Sequence, residues 1–75
     1  MSEMIEMYDV VALTEELPEH DLARGQVGTV VEMLAPGVFE VEFCDGEGIT
    51  YAMLALTSQQ LMRLHHAPAS LAQAA

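Results

Sequence analysis

The amino-acid sequence predicts an all-β fold, a compact barrel of five short strands, and three observations carry that reading. A glycine-hinged run, Arg24-Gly25-Gln26-Val27-Gly28-Thr29-Val30-Val31-Glu32, leads into a strand. An alternating apolar and acidic run, Val38-Phe39-Glu40-Val41-Glu42-Phe43, follows closely and has the period of two that a half-buried strand requires. Turn signals, Pro36-Gly37 before it and Asp45-Gly46 after it, bracket this second run and mark a meander.

The first seven residues are read as an N-terminal extension. They carry Met1, Met4 and Met7 interleaved with Glu3 and Glu6, a spacing that suits a helix turn or a soft-metal site. Methionine fills small cores readily and no histidine or cysteine lies nearby, so no metal is assigned to it. The barrel is expected over residues 8–64. Residues 8–14 form the first strand, β-branched and aromatic, apolar on both faces and therefore covered by the loop that follows. Residues 15–24 are too polar, and too interrupted by Pro18, for a regular element, but Leu17 and Leu22 can anchor them as an ordered excursion. Gly25 and Gly28 are expected where a side chain would clash, through positive φ or close strand approach.

Pro36 and Gly37 suit the two central positions of a type II turn. With Phe39, Val41 and Phe43 pointing inward, Glu40 and Glu42 point outward. For Glu32 also to point outward, with Val31 and Met33 inward, the hairpin needs a bulge or an odd-length loop, because a plain two-residue turn sets Glu32 opposite Val41. Asp45-Gly46-Glu47-Gly48 makes the second hairpin turn, with Gly46 and Gly48 as its structural glycines. Residues 49–56 are the most continuous apolar strand, residues 57–60 a capped single helical turn, and residues 61–64 a short closing strand. Residues 65–75, rich in alanine, are read as a flexible tail.

Seventy-five residues make one domain, and a chain of this size buries only roughly 60% of its unfolded surface. So thin a core favours a partner or a second copy of the chain. Twelve acids against two arginines, with no lysine, give a net charge of −10, which repels nucleic acid and anionic lipid. One cysteine, Cys44, excludes an intrachain disulfide and points to a reducing compartment, with the cytoplasm as the expected location. No leader and no apolar run of membrane-spanning length is recognised, so neither export nor membrane insertion is expected.

Glu15, Glu16, Glu19 and Asp21 gather beside His20 in the excursion, and Glu32, Glu40 and Glu42 share the outer face of the central strands. Two readings of the loop acids stand side by side: a solvated acidic loop, or a docking surface for a basic partner. A calcium loop would need a regular ligand alternation and a glycine that are absent. The strand acids repel one another unless Arg24, Arg63 or a partner's cation sits close by. Val30, Leu34, Tyr51 and Met53 are apolar side chains that a small core leaves partly uncovered, with Tyr51 counted among the partner-binding candidates. No catalytic, cofactor-binding or metal-ligating residue is assigned. Cys44, Thr57 and Ser58 have no histidine placed beside them by sequence, adjacent strand side chains at His65 and His66 diverge, and Cys44 is read as a small filler ending a buried strand.

The order of strand, long loop, three-stranded meander, helical turn and short strand resembles an SH3-like barrel. More narrowly, residues 9–19, Leu22, the Gly25-Gln26-Val27-Gly28-Thr29-Val30-Val31 run and Glu40-Val41-Glu42-Phe43 resemble the bacterial domain-of-unknown-function family 4926, over nearly all of residues 7–64. That resemblance implies a small binding protein, encoded beside a toxin-like partner, and carries no catalytic residue with it. Arg24-Gly25-Gln26-Val27-Gly28-Thr29-Val30 is also similar to the opening of the SH3-like domain that ends the nitrile hydratase β subunit. Gly28-Thr29-Val30 looks like the core of KOW motifs, but the basic residues that bind RNA there are missing here. The expected function is a non-enzymatic protein-interaction module, an antitoxin-like or immunity-like companion of a basic protein. The alternative is an accessory subunit or maturation factor of an enzyme.

Overall fold

The computed structural model describes residues 4–65. The expectations for Met1, His66 and the alanine-rich segment beyond it lie outside the described residues. The chain forms β1 (Val10–Leu13), β2 (Val27–Ala35), β3 (Val38–Cys44), β4 (Thr50–Thr57) and β5 (Leu61–Arg63). All neighbours are antiparallel, in one sheet of order β4-β3-β2-β1-β5. The fold is all-β and five-stranded, with the long loop after β1 and the single helical turn, Ser58–Gln60, directly before β5.

Connectivity explains why this sheet curls. β4 and β5 are its two edges, yet only Ser58–Gln60 separates them in sequence. In a flat sheet those edges would stand four strand spacings apart, about 19 Å. The four residue steps from Thr57 to Leu61 reach about 14 Å even when fully extended, and the 3-10 turn shortens them further. The two edges are therefore drawn together around the apolar face. Gln60 holds this corner: its Oε1 accepts the Thr57 N–H at 2.9 Å, its Nε2 donates to Glu15 at 3.0 Å, and the Gln59 carbonyl accepts from Thr14 Oγ1 at 2.8 Å. The first of these bonds is half of a capping box.

The face so enclosed is wholly apolar. Val11 and Leu13 from β1, Val30 from β2, Phe39, Val41 and Phe43 from β3, Leu56 from β4 and Leu61 from β5 form one cluster, completed by Leu17 and Leu22 from the long loop. Those two leucines also form an isolated backbone bridge around a 3-10 turn, Pro18–His20. The excursion is therefore pinned at both ends into the core, and β1 is covered as its two apolar faces require.

The β2–β3 hairpin closes through Pro36 and Gly37, with Ala35 opposite Val38 and Gly37 at φ 75°, as a type II turn demands. Two register shifts interrupt it, one between Val30 and Glu32 and one between Met33 and Ala35, and they set Glu32 opposite Glu40. The expected bulge is present and doubled. The doubling changes which β2 residues are covered: Val30, expected to lie partly open, is 0% exposed opposite Val41, whereas Met33 shares Phe39's side but stays 49% exposed at the sheet's end. At the second hairpin Gly48, at φ 84°, takes the left-handed conformation while Gly46 does not and has open space around it. Asp45 holds this turn by accepting the Glu47 and Ile49 N–H groups at 2.8 and 3.0 Å, so Gly46 is not structurally required.

Tyr8 stands just ahead of β1 at φ 68°, a left-handed conformation that costs a bulky residue on the order of 1 kcal/mol. Its N–H donates to the Val30 carbonyl at 2.7 Å, which fixes that geometry, while its ring is exposed. Tyr8→Gly is therefore expected to leave the fold intact and raise its stability by up to about 1 kcal/mol, read from the urea midpoint.

Candidate functional site

The acids occupy two separate places. Glu15, Glu16, Glu19 and Asp21 are all exposed along the loop after β1. The Glu15 carboxylate reaches Gln60 beside β5, and Asp21 ends the 3-10 turn at φ 58°. Glu32, Glu40 and Glu42 lie on β2 and β3, on the far side of β1 in the sheet order. Glu32 and Glu40 are direct cross-strand partners, and on the other flank Glu40 faces Ala55 and Glu42 faces Met53 of β4. The outer face is thus a strip of carboxylates bordered by exposed apolar side chains.

Cations do not neutralise that strip. Arg63 pairs with Asp9 at 3.1 Å, and no other ion pair occurs among the described residues. Glu42 instead accepts a hydrogen bond from the Thr50 hydroxyl, whose oxygen also lies 3.6 Å from Cys44 Sγ. Cys44 is exposed, which corrects its reading as a buried filler: with Phe43 inward, the strand's alternation turns Cys44 outward on the side of Glu40 and Glu42. Tyr51 is half-exposed, its hydroxyl accepting from Gln26 Nε2 at 2.8 Å and its ring centroid 6.3 Å from that of Phe43. Leu34 and Met53 are half-exposed, as expected.

Two features escaped the residue-by-residue reading. An open groove of about 920 Å³ runs between the Pro36-Gly37 turn and β5, floored by Phe39 and Leu61 and rimmed by Met4, Met33, Leu34 and Met62. The signal for it was the apolar pair Met33-Leu34 ahead of a turn, where polar residues are usual. The second is charge segregation: every acid of the chain lies at or before Glu47, and residues 48–62 carry no charged side chain. That run includes all of β4.

Among the described residues no group of three or more histidine, cysteine, aspartate or glutamate side chains is placed to hold a metal ion. No helix among them is long and apolar enough to cross a membrane.

Fold and surface together define a small all-β domain with an apolar core and an uncompensated acidic sheet face. The profile of the family described as Domain of unknown function (DUF4926) matches residues 7–63, and the chain belongs to that family. No curated protein and no solved structure matches it.

Proposed function

We propose that this chain is a non-enzymatic protein-interaction module that docks its acidic sheet face on a basic protein, as an antitoxin-like or immunity-like companion. The observation that carries the reading is the Glu32–Glu40 cross-strand pair. Like charges directly opposite on a sheet are destabilising; of the two arginines that could relieve them, Arg63 is engaged by Asp9 and Arg24 makes no ion pair among the described residues. A cationic partner would remove that repulsion on binding. Glu42 extends the strip, and Met53, directly opposite it on β4, supplies apolar contact at its border. The loop acids Glu15, Glu16, Glu19 and Asp21 add long-range attraction for the same partner. The exposed thiol of Cys44 suits a reducing compartment, the cytoplasm.

Tagged protein captured from its native host is expected to retain a stoichiometric basic partner that salt releases, because screening acts on exposed charge. The triple variant Glu32→Gln, Glu40→Gln, Glu42→Gln should lower that affinity by about tenfold or more while leaving the domain folded. Capture that is indifferent to salt and to this variant, or turnover by the isolated chain, would refute the proposal. Co-purification of an enzyme that is active only with this chain present would instead favour the accessory-subunit reading.

A further inference from the structure

We propose that the chain forms a two-fold homodimer by antiparallel pairing of β4 with β4 of a second copy, joining two sheets into one of ten strands. β4 is an edge strand with β3 as its single neighbour. Over residues 50–56 its outward N–H and C=O groups make no hydrogen bond among the described residues; the Thr57 N–H at its end is taken by Gln60 Oε1, and the Ile49–Asp45 turn bond lies just ahead of it. An edge of this kind is a template for another strand, and proteins that must stay monomeric blunt it with lysine, proline or a short length. β4 has none of these devices: it runs eight residues, Thr50-Tyr51-Ala52-Met53-Leu54-Ala55-Leu56-Thr57, without charge or proline, with Tyr51 and Met53 half-exposed. The opposite edge, β5, is only three residues long and ends in the paired Arg63.

The occupant follows from charge. Two copies carrying −10 each repel wherever acids meet, so self-association is confined to a surface without them. The uncharged run 48–62 is such a surface. Across a β4–β4 junction the nearest strand acids, Glu40 and Glu42 on β3, are separated from their counterparts by three strand spacings, about 14 Å. That exceeds the Debye length of about 8 Å at physiological ionic strength. A basic partner would gain nothing from this edge, whereas a second copy meets there the edge strand that carries no charge.

A two-fold axis perpendicular to the sheet keeps the outer faces of both copies on the same side, so facing residues must share parity. Centred on the strand, the axis passes through Met53 or Leu54. In the first register Met53 opposes Met53 of the second copy, and in the second Met53 opposes Ala55. Lysines placed at both 53 and 55 therefore meet lysine across the junction in either register. The junction is short for a stable interface, so dissociation in the micromolar range is expected.

The test is sedimentation equilibrium of the full chain at rising salt. Wild type should dimerise, and more tightly as salt screens the net charge, the opposite of the salt effect expected for a basic partner. Met53→Lys/Ala55→Lys and Met53→Glu/Ala55→Glu, each confirmed as folded by circular dichroism, should weaken the dimer about tenfold or more. An equimolar mixture of the two should restore it as a heterodimer, which misfolding could not mimic. A monomer at high micromolar concentration and high salt, a dimer that survives either variant, or no recovery on mixing would overturn the proposal. Self-association is read in the absence of any basic partner, so this inference can fail without the proposed function failing.

Discussion

Phe43→Ala is expected to destabilise the domain by about 3–5 kcal/mol, the cost of emptying a fully packed aromatic site. Phe43 is 0% exposed and the largest wholly buried side chain, sharing one cluster with Val11, Val30, Val41 and Leu61. A chain of 75 residues has a total stability of only roughly 4–11 kcal/mol, so the variant should be largely unfolded in modest urea. Phe39→Ala, nearer the open groove, should cost less because its neighbours Met33 and Leu34 already face solvent. Urea titration followed by circular dichroism measures both. A loss below about 1.5 kcal/mol for Phe43→Ala would mean that the core is not centred on β3.

Gly28→Ala should come close to that in effect, from the addition of a single methyl group. A Cβ at Gly28 would lie 2.8 Å from Val41 Cγ1, 2.9 Å from the Glu42 carbonyl oxygen and 3.0 Å from Phe43 Cδ2. The valine and phenylalanine are themselves wholly buried, and the carbonyl belongs to the β3 backbone, so relief requires β2 and β3 to move apart. Overpacking of this kind costs about 1–3 kcal/mol and sometimes more; we expect the upper end. Gly46→Ala, with nothing within 4 Å and no left-handed φ, is the control and should fall within about 0.5 kcal/mol of wild type. Equal effects at the two positions would show that β2 does not approach β3 as described.

Much of this was legible residue by residue. The alternation Phe39, Glu40, Val41, Glu42, Phe43 placed three side chains inside and two carboxylates nearer solvent, because period-two patterning is a local property of the chain. Leu17 and Leu22, isolated in a polar loop, were correctly read as anchors for the same reason: an apolar side chain five residues from its twin has little reason to be there unless buried. The parity argument at the β2–β3 hairpin required a bulge or an odd-length loop, and bulges are present. What failed was their location. Val30 took the inward place opposite Val41 that was expected for Val31, because two shifts occur where one would have sufficed, and bulge positions depend on how the sheet must bend, which no local pattern encodes. Cys44 failed because the same alternation that sets Phe43 inside turns the next residue out. At the candidate site, the outward glutamates were legible, but the engagement of Arg63 by Asp9 was not, since it depends on β1 and β5 becoming neighbours.

Sequence alone determined the strands, their turns, the acidic exterior and the family, because alternation, glycine and proline placement and charge are written along the chain. Tertiary structure alone decided which edges stay open and where the groove lies. A three-residue link between the outermost strands forces the sheet to curl, and that closure, a long-range constraint, leaves the uncharged β4 at the rim with a single strand neighbour.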